Sequence, residues 1–249
     1  MRKIGILCGV FLCTAMPAHA FDFGGLIDNG NLGQLGKAMQ GRSGLSGISN
    51  SDQIGGLKQE LIQAAETAVG NLGRKDGFLG NDKVRIPLPD KLQQLNDLLS
   101  GMGLGKYGED LRTSMNRAAE AAVPEARKLL VGAVKGMSVE DAKGILTGGN
   151  DAATQYFRRK TEGPISEKFR PVIEKAMQKV NLARKYDEFA GKGARFGLVD
   201  PKDANLSDYI TRKAMDGLFL MMAEEEKSIR ADPLQATGDL AKKVFSAIR

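Results

Sequence analysis

Apolar residues recur at steps of three and four along most of the chain, the spacing that places them on one face of an α-helix. The clearest run starts behind a predicted cap at Ser51 and Asp52 and ends at Gly73. Its apolar positions are Ile54, Leu57, Leu61, Ala65, Ala68 and Leu72. Similar runs predict helices at 92–99, 107–122, 129–134, 139–147, 152–157, 169–180 and 210–230, with a closing helix at 240–248.

Several polar and glycine positions predict where these helices begin and end. Asp90 and Ser207 are predicted caps, Ser138 and Asp141 form a near capping box, and Asn150 with Asp151 precedes the helix through Phe157. Pro164 lies near the predicted start of a separate helix. Tyr186 and Phe189 indicate one more turn or two before a loop at 191–205.

Residues 75–89 show a different pattern. Val84, Ile86 and Leu88 alternate with Lys83 and Arg85, which predicts an extended segment with its apolar side inward. Pro87 and Pro89 exclude a central strand, so we expect an extended arm packed on helices, with at most one short edge pairing. The whole pattern predicts an all-α, single-domain array of about nine or ten helices over residues 51–249, carrying this proline-containing arm.

The first 50 residues have another character. Arg2 and Lys3 precede an apolar run from Ile4 to Met16, and Pro17-Ala18-His19-Ala20 ends in the small-x-small pattern of a signal peptidase site. We expect a signal peptide at 1–20, cleaved after Ala20, and a periplasmic mature protein without a transmembrane segment. Residues 21–50 hold eight glycines and are interpreted as a flexible lead-in.

Composition narrows the possible chemistry. Cys8, Cys13 and His19 are the only residues of their kinds and all lie in the predicted leader, so the mature chain lacks thiolate and imidazole. No metal site and no cofactor is therefore expected. Without Arg2 and Lys3 the 36 basic residues become 34 against 30 acidic ones, a net charge of +4. These charges are interleaved and tryptophan is absent, which disfavours nucleic-acid binding.

Several blocks in order carry a family resemblance. They are Asp76-Gly77-Phe78, Val84 to Pro89, Met115 to Glu120, Asp141-Ala142, Asp151 to Phe157, Gly217-Leu218-Phe219, and Glu225-Glu226 before Ile229-Arg230. Over residues 51–249 the chain resembles the exported bacterial family called domain of unknown function 4197. The resemblance implies no activity, ligand or catalytic residue.

Polar residues within the helices supply the first candidate site. The candidates are Asn116, Arg117, Glu120, Thr154, Arg158, Glu226 and Arg230. Small neighbours could dehydrate Glu120 and make it a general acid, with Asp141 or Asp151 as the second carboxylate of a glycan hydrolase. We prefer ion pairs of Arg117 with Glu120 and of Glu226 with Arg230, because such spacings commonly join or support helices.

Two further interpretations concern ligands. The amides after Gly148-Gly149 could hold an anion at a helix start, although Asp151 is expected to occupy them itself. Met215, Phe219, Met222 and Phe245 could line an adaptable apolar pocket, although such a stripe is more often core.

The sequence leaves three hypotheses of function open. The leading one is a non-enzymatic periplasmic protein that binds an apolar small molecule or an envelope protein. The alternatives are the carboxylate hydrolase and a structural or assembly factor that acts by surface contact alone.

Overall fold

The fold was analysed in a computed structural model, which describes residues 47–179, 181, 184–186, 188–189, 206–236 and 238–247. These residues are mostly helical, contain no β-strand, and belong to one compact unit spanning Ser43–Arg249. The predicted all-α class is confirmed. The predicted signal peptide, most of the lead-in and the loop at 191–205 lie outside the described residues.

Eight α-helices make up the described part of the unit. They are α1 Asn50–Gly73, α2 Asp90–Gly101, α3 Lys106–Ala122, α4 Ala126–Lys135, α5 Val139–Leu146, α6 Ala152–Lys179, α7 Leu206–Ala231 and α8 Asp239–Ala247. Short 3₁₀ turns at Val123–Glu125 and Pro233–Gln235 precede α4 and α8. The predicted total of nine or ten counted α6 as two helices and included one more turn or two at Tyr186 and Phe189, beside undescribed residues.

Helix α6 lies at the centre of this packing. It contacts α3, α4 and α7, while α1 packs against α4, α7 and α8. The core side of α6 carries Ile165, Phe169 and Ile173, each fully buried. Burying a side chain of this size stabilises the fold by about 1.5–3 kcal/mol relative to leaving it in water. This face of α6 therefore packs in the interior.

The separate helices predicted on either side of Pro164 are wrong, because α6 runs without interruption through Pro164 and Pro171. An interior proline costs about 3 kcal/mol, mainly through the lost hydrogen bond and a clash with the preceding turn. Both prolines are exposed, as are Lys160 and Glu167 four residues earlier. Water can therefore solvate the two carbonyls that lose their donors, and the apolar face keeps the helix continuous.

Several predicted caps shift by a few residues. Ser49 caps α1, with its Oγ accepting from the N–H of Asp52 at 3.1 Å, instead of Ser51 or Asp52. Pro89 precedes α2 and makes no side-chain cap, and Ser207 lies one residue inside α7. The capping box of Ser138 and Asp141 is present at the start of α5.

The segment between α1 and α2 has the alternation predicted for it. Val84, Ile86 and Leu88 are buried, whereas Lys83 and Arg85 are exposed. No strand pairs with this segment among the described residues. A side chain replaces a strand as its hydrogen-bond partner, as described below.

Candidate functional site

Glu120 is a buried carboxylate that joins α3 to the turn after α1. Its Oε1 accepts hydrogen bonds from the N–H groups of Phe78 at 3.1 Å and Leu79 at 3.2 Å. Its Oε2 accepts one from Arg117 Nη1 at 2.7 Å. Both oxygens are thus engaged by protein donors, which is the usual condition for a buried carboxylate.

The turn that Glu120 holds has a backbone conformation that few residue types can adopt. Asp76 has φ of 66°, in the left-handed region that few residues other than glycine adopt. A Cβ at Gly77 would lie 2.4 Å from the carbonyl oxygen of Leu72, so only glycine fits there. Arg117 Nη2 pairs with Asp76 Oδ1 at 2.7 Å, which ties this strained residue to the same α3 face. The hydrogen bond to Glu120, followed by that to Asp76, raises the pKa of Arg117.

Asn116 binds the extended segment. Its Oδ1 accepts from the N–H of Ile86 at 2.8 Å, and its Nδ2 donates to the carbonyl of Ile86 at 2.9 Å and to that of Arg112 at 2.8 Å. Asn116 is completely buried. One amide side chain therefore satisfies both polar backbone groups of a buried residue, as a neighbouring strand would.

Glu226 is the second buried carboxylate and it caps α6 from α7. Its two oxygens accept from the N–H groups of Ala153 and Thr154, both at 2.9 Å, and Thr154 Oγ1 adds a bond at 3.0 Å. Arg230 Nη2 donates to Glu226 Oε1 at 2.9 Å and to the carbonyl of Ile145 at 2.8 Å. The pair thus joins the end of α5 and the start of α6 to α7.

The helix-start amides of α6 are occupied by a carboxylate, although not by the predicted one. Asp151 instead accepts from Gln155 Nε2 at 3.0 Å, and the capping carboxylate is Glu226, more than 70 residues away. The amides of Ala153 and Thr154 are consequently satisfied without an external anion.

The predicted polar candidates do not form one site. Asn116, Arg117 and Glu120 hold the turn and the extended segment, whereas Thr154, Glu226 and Arg230 tie α5, α6 and α7 together. Arg158 stands apart, with its guanidinium carbon 4.7 Å from the centre of the Phe219 ring and ion pairs to Glu162 and Asp216 at 3.5 Å.

The carboxylates of the hydrolase hypothesis also have separate roles. Asp141 accepts from the N–H and the Oγ of Ser138, at 3.1 and 3.0 Å, and these bonds lower its pKa, with smaller contributions from the charges of Lys160 and Arg159. Within the described part of the chain, no hydrogen bond links Glu120 to Asp141 or Asp151. Among the described residues, Glu120 holds a turn, Asp141 caps α5 and Asp151 bonds to Gln155.

The predicted apolar pocket is a small cavity. Met222 and Phe245 line a cavity of about 20 Å³ together with Phe157 of α6 and Leu61 of α1. This volume is room for about one water molecule. Met215 and Phe219 are buried in the core and are not among the lining residues.

A larger concave surface, which the sequence analysis missed, lies between α4 and α6. This α4–α6 groove has a volume of about 230 Å³ and is open to solvent. Its lining residues are Leu129, Ala133, Gly136, Tyr156, Lys160, Thr161 and Pro164. The signal in the sequence was the spacing of Leu129, Ala133 and Gly136, which places them on one face of α4.

Tyr156 joins the two walls of the α4–α6 groove. Its hydroxyl donates to the carbonyl of Ala133 at 2.9 Å, and burial raises its pKa, with a smaller contribution from the charge of Asp141. Lys160 Nζ lies 5.8 Å from the centre of the Tyr156 ring. Lys160 is the one charged residue that lines the groove.

The described residues contain no group of three or more Asp, Glu, His or Cys side chains placed to hold a metal ion. Of the helices in the described ranges, none has both the length and the apolar character that crossing a bilayer requires.

The fold and these contacts define an all-α helical array tied internally by buried carboxylates. Residues 47–246 match the family described as "Protein of unknown function (DUF4197)". The match covers most of the chain, so the protein belongs to this family, as the blocks at 76–89 and 115–120 predicted. Neither a curated protein nor a solved structure matches the chain.

Proposed function

We propose that this chain is a non-enzymatic interaction protein of the bacterial periplasm that binds an envelope protein through the α4–α6 groove. The observation that carries the proposal is the contrast, among the described residues, between a very small interior cavity and this open, concave surface. The interior cavity measures about 20 Å³, whereas the groove measures about 230 Å³.

The contacts give the enzymatic alternative less support. An acid–base pair needs a carboxyl group that can reach substrate, but Glu120 and Glu226 are buried and accept from protein donors on both oxygens. Asp141 caps the start of α5. Each of these acids has a structural task that explains its position.

A carrier of an apolar small molecule is also less well supported. Small-molecule sites are commonly about 300–1,000 Å³ and enclose most of the ligand. The cavity beside Met222 and Phe245 is far smaller, and the α4–α6 groove is open. An open surface of this kind suits a segment of another protein better than a carried molecule.

A photocrosslinking experiment in the native host tests the proposal. A benzoyl-phenylalanine placed at Leu129, inside the groove, should give one discrete protein adduct after irradiation of whole cells. The matched control places the same group at Lys175, an exposed position on α6 outside the groove lining, where no such adduct is expected. Equal adducts at both positions, or none at Leu129, would contradict the proposal.

Export is tested separately. Protein recovered from the periplasmic fraction should begin at Phe21 by N-terminal sequencing, because the small-x-small pattern ends at Ala20. Full-length protein confined to the cytosol would remove the periplasmic part of the proposal.

A further inference from the structure

Pro164 leaves a hydrogen-bond acceptor at the α4–α6 groove. In an α-helix the N–H of residue 164 is donated to the carbonyl of residue 160, but proline has no N–H. The carbonyl of Lys160 therefore lacks its usual helical donor. Both Lys160 and Pro164 line the groove, so an occupant can supply a donor to this carbonyl.

The side chain of the same residue adds a positive charge. Among the described residues, Lys160 forms no ion pair, and its Nζ lies 5.8 Å from the centre of the Tyr156 ring. Asp141 lies close enough for the charges of Lys160 and Arg159 to lower its pKa, but its hydrogen bonds go to Ser138. Lys160 is therefore a groove-lining cation without an ion-pair partner among the described residues.

The opposite wall is apolar. Leu129 and Ala133 of α4 lie on one helical face, and Gly136 continues that face without a side chain. The groove therefore presents an acceptor, a cation and a hydrocarbon wall within about two turns of two helices. A protein segment offers the complementary set of an N–H group, a carboxylate and an apolar side chain.

We propose that the α4–α6 groove recognises an acidic peptide segment of a partner protein, which donates an N–H to the Lys160 carbonyl and places a carboxylate at Lys160 Nζ. This inference rests on the proposed function and specifies its ligand. An anionic lipid would also satisfy the ammonium, so the experiment below includes it as a separate outcome. The peptide is preferred because its backbone supplies an N–H group in the same segment as the acidic and apolar side chains.

The probe is a phage-displayed library of random 12-residue peptides, selected on the immobilised chain. Peptides that bind wild type and lose binding to Ala133→Phe, which fills the groove, are resynthesised and their Kd values measured by fluorescence anisotropy. We expect these peptides to carry Asp or Glu beside an apolar residue. Replacing that acid by its amide should weaken binding, as should Lys160→Met, by about two- to fivefold. Lys175→Met is the matched control.

The decisive variant is Pro164→Ala, which returns an N–H to the Lys160 carbonyl. It should raise the melting temperature, because an interior helical proline is replaced by the best helix former. It should also weaken peptide binding by about two- to tenfold, since the acceptor is then occupied. Pro171→Ala makes the same change outside the groove, so it should raise the melting temperature and leave binding unchanged.

The outcomes separate this inference from the proposed function. The inference would be overturned if the groove peptides showed no preference for acidic residues, or if they bound wild type and Pro164→Ala equally. Either result would leave the proposed protein-binding groove standing. A library that yields no peptide sensitive to Ala133→Phe would contradict both. Lys160-dependent binding to vesicles of phosphatidylcholine and phosphatidylglycerol in a 7:3 ratio, without any groove peptide, would replace the peptide by a membrane surface.

Discussion

Glu120 and Glu226 each satisfy backbone N–H groups that no helix or strand supplies with a partner. Glu120 serves the amides of a turn, and Glu226 serves the first amides of α6. Each is also paired with an arginine on its own helix, Arg117 or Arg230. Removing one such carboxylate leaves buried donors unpaired, which costs more than the ion pair alone contributes.

Glu120→Gln tests this role. The amide can accept from Phe78 and Leu79 through its oxygen, but it presents N–H groups to Arg117 in place of Oε2. We expect a loss of about 1–3 kcal/mol in the free energy of unfolding, measured by urea denaturation. The lower part of this range applies if Arg117 turns towards Asp76 and solvent, because its side chain is 26% exposed.

Glu66→Gln is the control for that change, since Glu66 is exposed on α1 and should shift stability by no more than about 0.5 kcal/mol. If Glu120→Gln keeps the wild-type unfolding curve but loses the protein's function in cells, the result would favour the enzymatic alternative instead.

Gly217 provides a second test at single-residue scale. A Cβ on this α7 residue would lie 2.8 Å from Phe78 Cε1 and 3.3 Å from Val84 Cβ, and both neighbours are buried. Gly217→Ala should therefore lower the free energy of unfolding by about 1–3 kcal/mol through overpacking.

The matched control is Gly70→Ala on α1, where nothing lies within 4 Å of the new Cβ. That change should raise stability by about 0.5–1 kcal/mol, because alanine is the better helix former. Equal effects of the two substitutions in thermal melts would contradict the close packing of α7 on Phe78.

At the scale of helices, periodic apolar residues were sufficient to find most elements. The run from Leu57 to Leu72 predicted α1 with its buried face, and the capping box at Ser138 marked the start of α5. Pro164 misled the prediction because a local rule about proline was applied without knowledge of the buried face carrying Phe169 and Ile173. Tertiary burial outweighed the local cost.

The capping box of α5 has a measurable pH dependence. Hydrogen bonds from Ser138 lower the pKa of Asp141 below its ordinary value of 3.8. A carboxylate with a lowered folded-state pKa stabilises the fold above its unfolded-state pKa, and this contribution is lost as pH falls through the folded-state value. Asp141→Asn should therefore melt at a lower temperature than wild type at neutral pH, with the difference closing in acid, as pH falls through the lowered folded-state pKa.

Glu140→Gln, an exposed change in the same turn, is the control for that titration. A difference between wild type and Asp141→Asn that persists unchanged into acid would show that the ionised carboxylate is not the cause.

On the scale of the whole molecule, α8 closes the core against α1. Its carbonyl at Leu240 lies so near Gly56 that a Cβ there would approach to 2.9 Å, and Phe245 lines the small interior cavity. Phe245→Ala should lower the free energy of unfolding by about 3–5 kcal/mol and enlarge this cavity. Benzene should then raise the melting temperature of the variant more than that of wild type.

Leu234→Ala serves as the control, because Leu234 is 74% exposed and its truncation should change stability by no more than about 0.5 kcal/mol. A variant Phe245→Ala that gains nothing from benzene would mean that the core collapses around the missing ring.

The arrangement of sites was harder to predict than the fold. Ion pairs three or four residues apart, such as Arg117 with Glu120, follow from helical spacing. The capping of α6 by Glu226 and the α4–α6 groove depend on which helices become neighbours, and a single sequence carries little information about that. Leu129, Ala133 and Gly136 were visible as a face, but their opposite wall was not.

The pairing of Asn116 with Ile86 also bears on whether the extended segment can pair with another copy of the chain. An extended stretch with Val84, Ile86 and Leu88 along one side presents backbone groups that could pair with a like stretch from another copy, and Pro87 and Pro89 limit this pairing to the part before them. At Ile86 the backbone N–H and carbonyl are already hydrogen-bonded to the side-chain amide of Asn116 on α3. Asn116→Leu should accordingly leave the N–H and the carbonyl of Ile86 without their hydrogen-bond partners. If these groups then pair with another copy of the chain, the variant should form fibrils.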